Sequence, residues 1–491
     1  MYMGNYLYWL LCGISGLLLY SAMALHTWIF AILGLVAWLY VVHHSKTAKM
    51  ALSIGFAIGL CKALGALSVI WSAYPLESME LSAGWITVLI MGIGWFISAV
   101  PFAVGMSVVT VSVWLLKDTS YAYHAFPLLW VAGEVFSSLL FSIIQAGTDS
   151  YLNIHFTFGY IGYLVPLLEP MKSVAVFGGV YALSALFFYF SLLSFQLVYD
   201  NKSKKQFIYL ASLVIGLISA VYIFLPVTEP VNMDTKIITF DTRFSTMDLR
   251  TEAGRIQKYS ELFGALSEVN EYNPDIILLP EDSRLTYAFS TPETTLDFLK
   301  FIFIDNIPLV VDTSRRDVND ESVALRAYYY DLENTQIYSV DKQYLVPHGE
   351  YITNVVSFML NKFQRGDVLN QLMLNQNYVP GPRTSYESFP ETLPPMLFCN
   401  ASIAPLLVKS LSHEQESDII LHVSSHGYFE NSLLLNKQLD SMLKINALWT
   451  GKTIVQAGNM MSGKTYLSNG TIDYGEVLKE TDVLTMTEYS L

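Results

Sequence analysis

The sequence predicts an α-helical membrane bundle of about seven transmembrane helices, residues 1–227, followed by an α/β layered domain, residues 228–491. Three observations predict it. Hydrophobic residues make up 53% of the 491 and charged residues only 14%, far below the ~25% of a soluble domain. The charge is unevenly placed: residues 1–227 hold eight Lys, no Arg and seven acidic residues, and the remainder holds 20 basic and 35 acidic ones. After Pro230 the long apolar runs give way to short strands and amphipathic helices. The net charge of −14 therefore sits in the second half, and that acidity argues against nucleic acid as a partner.

A spanning helix needs about 20 apolar residues. Seven segments qualify or nearly so: about 5–22, 28–43, 50–72, 84–116, 124–146, 172–198 and 206–226. The first lacks a small-residue cleavage site leading into a polar region, so it reads as a helix rather than a cleaved signal. The fourth is long and contains Pro101, but no polar loop divides it, so it counts once. Lys46 and Lys49, Lys117, and Lys202, Lys204 and Lys205 fall in alternate loops. Glu77 and Glu80, then Asp149 and Glu169, fall in the others. The positive-inside rule makes the lysine loops cytoplasmic. With seven spans everything after about 227 then lies outside, on the periplasmic face of a bacterium. Two charges, Lys62 and Glu134, fall near mid-span. They read either as contacts to substrate or headgroup, or as a structural pair with each other.

In the second half "TKIITF", "PDIILLPE", "IPLVVDT", "ALRAYYYD", "PPMLFCN", "SDIILHVSS" and "KTIVQAG" read as strands, and "GRIQKYSELFGALSEV" as a helix. Such alternation predicts layered α/β structure. The last stretch, "LKETDVLTMTEYSL", reads as a polar end, with no span after the α/β domain. "GNMMSGKT", Gly458 to Thr465, matches the phosphate-cradling pattern G-x-x-x-x-G-K-[ST]. A strand precedes it, but "YLSNGTIDYGE" follows with a turn at Asn469-Gly470 instead of the required helix. The match is therefore set aside, and no cofactor is expected. His422 and His426 stand four apart on a strand-to-loop stretch, where that spacing does not align them, so no metal is expected.

Three strand ends carry chemistry. Glu281 closes "IILLPE", Lys342 follows Asp341 at the end of a hairpin in "QIYSVDKQYLVPHGEY", and Cys399 closes "MLFCN". A carboxylate can take a thiol proton as general base. An ammonium can lower the thiol pKa and stabilise an oxyanion. The thiolate is the nucleophile. Cys12 and Cys61 lie in spans, so Cys399 is alone outside the membrane; the plain alternative is an inert buried core cysteine.

"PEDS" with Glu281, "DKQYLVPHGEY" with Lys342 and Glu350, and "LFCN" with Cys399 resemble the motifs of the carbon–nitrogen hydrolase (nitrilase) superfamily. Its members place a Glu-Lys-Cys triad on an α-β-β-α sandwich. The string Lys342-x-x-Leu345-Val346-Pro347-x-Gly349-Glu350-Tyr351 resembles more closely the apolipoprotein N-acyltransferase family, bacterial inner-membrane enzymes with a nitrilase-like periplasmic domain on a helical bundle. "LLWVAGEVFSSLLF" is similar to that family's Pro-Leu-Trp-x-x-x-Glu segment and sets Glu134 on its glutamate. "SSHGYFENS" is similar to its Ser-Asn-Asp-x-Trp-Phe loop. The resemblance covers about residues 50–480. Departures stand at Asn400 and Ala401, where the family has Tyr-Glu, and at Ser425 and His426, where it has Asn-Asp. The family's last transmembrane helix is also missing.

The resemblance implies an acyltransferase with catalytic residues Glu281, Lys342 and Cys399 and with Glu350 orienting Lys342 or Glu281. Cys399 takes an acyl chain from a phospholipid donor as a thioester. A diacylglyceryl apolipoprotein then accepts it on the α-amino group of its lipidated cysteine. The expected setting is the bacterial inner membrane, the expected state a monomer. Two alternatives remain: an amidase or transacylase with another acceptor, and a non-catalytic scaffold that binds lipid or lipoprotein.

Overall fold

The structure, a computed structural model, describes every residue except 1–4, 77–81, 120–121, 148–149, 200–203, 231, 246–250, 305, 320–321, 383–385, 387–388 and 430–431. Glu77, Glu80, Asp149 and Lys202, used above for orientation, lie outside the described residues.

Among the described residues the first half has seven α-helices: α1 (Asn5–Ala24), α2 (Trp28–His43), α3 (Ala48–Ala66), α4 (Trp85–Leu116), α5 (Ala122–Ile144), α6 (Glu169–Tyr199) and α7 (Lys204–Phe224). Six are long and apolar enough to cross a membrane. The exception is α2. Its 16 residues rise only about 24 Å at 1.5 Å each, short of a ~30 Å hydrocarbon core. It compensates by burial: Leu35, Trp38 and Val41 are fully enclosed, and Trp38 sits edge-on to Trp130 and Phe188. Pro101 lies inside α4 without ending it. The long helix α6 breaks at Gly178 and Gly179, and Gly179 has φ +57. A side chain there would meet the Trp449 ring at 2.7 Å. The break thus seats the second half of the protein against the bundle.

The two ends of the bundle differ. At one end Lys117 Nζ donates to the His43 and Ser45 carbonyls, and Tyr199 meets His44. This gathers the 44–49 loop with the ends of α4 and α6. At the opposite end of α2, His26 reaches Ser441. There Gln438 also donates to the Ala66 carbonyl and Thr157 to the Ile403 carbonyl. The 44–49 loop and Lys117 therefore lie at the end away from the α/β part.

The second half contains β1 (Lys236–Thr242), α8 (Glu252–Val269), β2 (Ile276–Leu278), α9 (Leu285–Ala288), α10 (Pro292–Ile302), β3 (Leu309–Asn319), β4 (Ser322–Asp331) and β5 (Gln336–Asp341). These are followed by α11 (Asn354–Lys362), α12 (Gly366–Asn375), β6 (Met396–Phe398), α13 (Pro405–Glu414), β7 (Ile419–Ser425) and α14 (Leu433–Thr450). The chain continues through β8 (Thr453–Asn459), β9 (Lys464–Tyr466), β10 (Ile472–Asp473), β11 (Glu476–Glu480) and β12 (Leu484–Ser490). One face-to-face layer runs β5-β4-β3-β2-β1-β12-β11, the other β6-β7-β8-β9-β10; among the described residues their strands pair only at Thr242 and Asn459.

Alternation along the strands makes the layers. Ile237, Ile276, Leu278 and Val311 pack against Met396, Phe398, Leu421 and Val455 between the sheets. Their chain neighbours Ile238, Ile277 and Val310 point the other way, under Leu262 and Leu266 of α8 and Leu299 of α10. Leu397, Ile420 and Ile454 likewise sit under Val408 of α13 and Leu439 and Leu443 of α14. Period-two side chains on two-sided strands give an α-β-β-α sandwich. Helix α14 serves twice, because Met442, Ile445 and Leu448 pack into the bundle core.

The polar last stretch folds as β11 and β12, and β12 lies antiparallel to β1 from Lys236↔Ser490 to Thr242↔Leu484. Its sequence reads as polar on average, yet Leu484 and Met486 sit in the layer under α8 and α10 while Tyr489 points into the core between the sheets. The hairpin before Lys342 is formed by β4 and β5. The residues after Lys342 form a loop, not a returning strand, with isolated bridges from Tyr351 to Pro347 and to Asn377.

Candidate active site

Glu281 follows β2 in a turn that leaves the sheet abruptly. Asp282 and Arg284 both have positive φ, 58° and 62°, a conformation unusual for non-glycine residues. The turn is fastened to β3: Asp282 N donates to Thr313 Oγ1 at 2.8 Å, Thr313 Oγ1 to the Pro280 carbonyl at 2.9 Å, and Arg284 N to the Thr313 carbonyl at 3.0 Å. Glu281 itself is buried.

Lys342 leaves β5 with its amide on the Leu325 carbonyl at 2.8 Å, and its side chain is only 1% exposed. Nζ donates to Glu281 Oε1 at 2.8 Å and to Glu350 Oε1 at 2.6 Å. The second oxygen of Glu350 accepts from Val346 N at 2.7 Å, so the carboxylate ties the ammonium to its own loop. That loop leans on the bundle. His348 Nε2 donates to Gln145 Oε1 and Tyr351 OH to the Gln145 carbonyl, both at 2.8 Å.

Cys399 opens a short 3-10 turn, Cys399–Ile403, directly after β6. Ser424 Oγ, at the end of β7, donates to its sulfur at 3.1 Å. Asn400 Nδ2 donates to the Leu345 carbonyl at 2.9 Å, joining the cysteine turn to the Lys342–Glu350 loop. Glu281, Lys342, Glu350 and Cys399 line one cavity of about 520 Å³. Leu67, Ile70 and Phe158 of the helical half line it as well. Lys62 and Glu134 do not. They meet each other instead, Nζ to Oε1 at 3.2 Å, with Ile161 N on the same oxygen at 3.0 Å.

The thiol departs from expectation. Burial pushes Cys399 up to about 11, Glu281 adds to the rise, and Lys342 only partly offsets them. The reason is local. Lys342 is already held by two carboxylates, which outweigh its burial and keep it firmly protonated. Its charge is therefore largely neutralised where the sulfur sits. Glu281 moves towards neutrality, to about 7: burial raises it, Lys342 pulls it back and Glu350 raises it again. A neutral thiol beside a carboxylate poised near neutral pH suits proton transfer during attack rather than a standing thiolate. Lys342, with a third donor proton beyond its two carboxylates, is placed to meet an oxyanion.

The sequence reading passed over Ser424, and over Lys258, Asp282, Arg284 and Arg315, which also line the cavity. Asp282 sits inside the quoted "PEDS", and Arg315 and Arg316 stand side by side in β3; Lys258 on an amphipathic helix gives no signal.

The glycine-rich stretch is filled from within. Gly458 N and Gly463 N donate to the two oxygens of Asp241 at 2.9 and 2.7 Å. Lys464 pairs with Asp440 at 2.9 Å, and β9 follows where a phosphate loop needs a helix. Gln456 donates to His422 at 3.0 Å. Burial pushes His422 down to about 3 and His426 to about 4. Among the described residues, no three His, Cys, Asp or Glu side chains converge as a metal-holding group.

No family model matches the chain. It is 20% identical over 415 residues to an apolipoprotein N-acyltransferase from Rickettsia typhi, covering 80% of this chain and 74% of that one. The chain resembles the apolipoprotein N-acyltransferases. Solved structures similar to it include an amidase from Nesterenkonia sp., at 12% identity over 54% of this chain and 93% of that one, TM-score 0.34. A carbon–nitrogen hydrolase from Helicobacter pylori is 8% identical over 52% of this chain and 89% of that one, TM-score 0.35.

Proposed function

We propose that the protein is a membrane acyltransferase that moves a fatty acyl chain from a phospholipid, through a thioester on Cys399, to the α-amino group of the diacylglyceryl-cysteine of an apolipoprotein. One observation carries the reading: Lys342 is clamped between Glu281 and Glu350 in a cavity that also holds Cys399 and opens on apolar residues of the bundle. In the first half-reaction Glu281 takes the thiol proton as sulfur attacks the ester carbonyl. The tetrahedral oxyanion forms beside Lys342. It collapses by expelling the lysophospholipid alkoxide, which recovers the proton from Glu281. In the second, the amine attacks the thioester and gives Glu281 a proton. Collapse releases the thiol, reprotonated, and leaves an amide. The domain containing residues 228–491 lies on the periplasmic side of the inner membrane, since the 44–49 loop and Lys117 lie at the bundle end away from it.

Purified protein incubated with phosphatidylethanolamine labelled in its acyl chain should acquire a hydroxylamine-sensitive label on Cys399. No label, or equal label on Cys399→Ser, favours the non-catalytic scaffold. A periplasmic reporter fused at residue 235 should be active and a cytoplasmic one silent. One observation favours the second reading, a different acceptor: Asn400, which replaces the family's Tyr, lines the cavity and spends its amide on Leu345.

A further inference from the structure

The cavity wall carries a second charge set, built opposite in sign to the first. Lys258 of α8, Arg284 of the Glu281 turn and Arg315 of β3 all line it. The two arginines share one cavity-lining carboxylate. Asp282 takes Arg284 through both oxygens, at 2.9 and 2.6 Å, and Arg315 Nη2 at 3.1 Å. Lys258 gets no carboxylate among the described residues. It is 4% exposed, donates to the Asp282 carbonyl at 2.8 Å, and lies 6.0 Å from the centre of the Phe244 ring. Arg315 Nε is buried with no hydrogen-bond partner among the described residues, while its guanidinium faces the Tyr378 ring at 5.2 Å. The neighbouring Asp312 is already saturated. Its oxygens take Leu285 N, Thr286 N and the hydroxyls of Ser283, Thr286 and Ser314.

A buried ammonium without a counter-ion is costly, by several kcal/mol in a folded protein. Burial accordingly pulls Lys258 down to about 8, even with Asp282 pulling the other way. Lys258, buried, and the partly exposed Arg284 and Arg315 face two carboxylates, Asp282 and Asp312, while Arg255, which also lines the cavity, is exposed to solvent. The surplus is one positive charge. A phosphodiester monoanion matches it; a phosphomonoester, at up to two negative charges, exceeds it.

We propose that Lys258 and Arg315, with Arg284 locked on Asp282 beside them, form a seat for the phosphodiester of a lipid headgroup. The acyl ester of the same molecule then reaches Cys399, and its chains lie along Leu67, Ile70 and Phe158. This rests on the acyl-donor reading above and deepens it: Arg284 is fixed by a bidentate pair, so Lys258 and Arg315 supply the free donors.

The test compares two acyl donors, phosphatidylglycerol and diacylglycerol, of which only the first carries a phosphodiester headgroup, in the same detergent micelles. Cys399 labelling is read in the full-length protein and in Lys258→Met and Arg315→Gln. Labelling by phosphatidylglycerol should fall about 10- to 100-fold, the range for losing a hydrogen bond to a charged group, and labelling by diacylglycerol less than threefold. Lys258→Arg should restore most of the difference. Equal loss on both donors, or no loss on either, overturns the seat. Added inorganic phosphate separates the sources: if it slows diacylglycerol labelling of wild type and phosphatidylglycerol holds no advantage, the seat is for free phosphate and the headgroup assignment falls. If neither donor labels Cys399, the acyl-donor reading fails by itself. The seat is then read by native mass spectrometry with lysophosphatidylglycerol against monoacylglycerol. Selective binding lost in Lys258→Met upholds it, and equal binding overturns it.

Discussion

In the bundle, Lys62 faces one carboxylate, Glu134, at 3.2 Å, with the Trp130 ring 5.2 Å from its ammonium. In the α/β half, Lys342 faces two, Glu281 at 2.8 Å and Glu350 at 2.6 Å. Both lysines are largely enclosed, so burial alone does not separate them. Parity does. One cation on one carboxylate gives a neutral pair that holds helices α3 and α5 together and has no charge left to trade. One cation between two carboxylates leaves a surplus of negative charge. Burial lifts Glu281 to about 7 against the pull of Lys342, and the second carboxylate, Glu350, adds to the rise; there a carboxyl can both take and return a proton.

The comparison can be broken first at the sulfur. Cys399→Ser should reduce acyl transfer to background, because a serine hydroxyl is far less acidic than the thiol that Glu281 is set to deprotonate; single-turnover labelling reads it. Lys342→Ala should cost about 10²–10³-fold in kcat, the usual loss for one oxyanion stabiliser, and should leave two carboxylates in mutual repulsion. In the bundle the effect should fall on stability instead. Lys62→Met strands Glu134 in the interior, at a cost of roughly 3–5 kcal/mol, visible as a lower melting temperature in detergent. The double change Lys62→Met with Glu134→Gln should recover most of it, with activity per folded molecule unchanged. Lost activity in a well-folded double variant would mean that the pair touches substrate.

Glu350→Gln sharpens the same contrast more gently. The negative charge of Glu350 raises Glu281, so its removal should lower the Glu281 pKa. The wild-type rate should climb as pH rises through about 7, when the base loses its proton. In Glu350→Gln the climb should come at lower pH, with a maximum reduced by about tenfold or less, as for a residue that positions Lys342. The smallest effect belongs to Lys464→Ala. It breaks a partly exposed pair with Asp440, worth about 0.5–1 kcal/mol, and should leave nucleotide binding undetectable before and after.

Much of this layout was legible because it rests on period and reach. The seven helical segments are long apolar runs. Strands such as Ile276–Leu278 are continuous apolar runs because both faces are covered. Glu281, Lys342 and Cys399 stand where such runs stop. What stayed hidden depends on contacts between distant segments. The thiol's neutral state follows from its burial, to which Glu281 adds and which Lys342 only partly offsets, an enclosure that no single motif carries. Lys258 sits on an ordinary amphipathic helix, and only the fold turns it towards the Asp282 turn. β12 was missed because Thr485, Thr487 and Glu488 make a polar run of a strand that buries Leu484 and Met486 on one face and Tyr489 on the other.

That last strand has a consequence for how the molecule is made. β12 fills the place beside β1, its partner about 250 residues earlier in the chain. During synthesis the bundle is complete long before, and β1 emerges next with one flank open. Pairings that close so late in the chain are slow to form. An open apolar edge invites wrong partners in the meantime. The half-built sheet must therefore wait at the membrane surface, and conditions that slow translation near residue 480 should raise misfolding far more than pauses near residue 230.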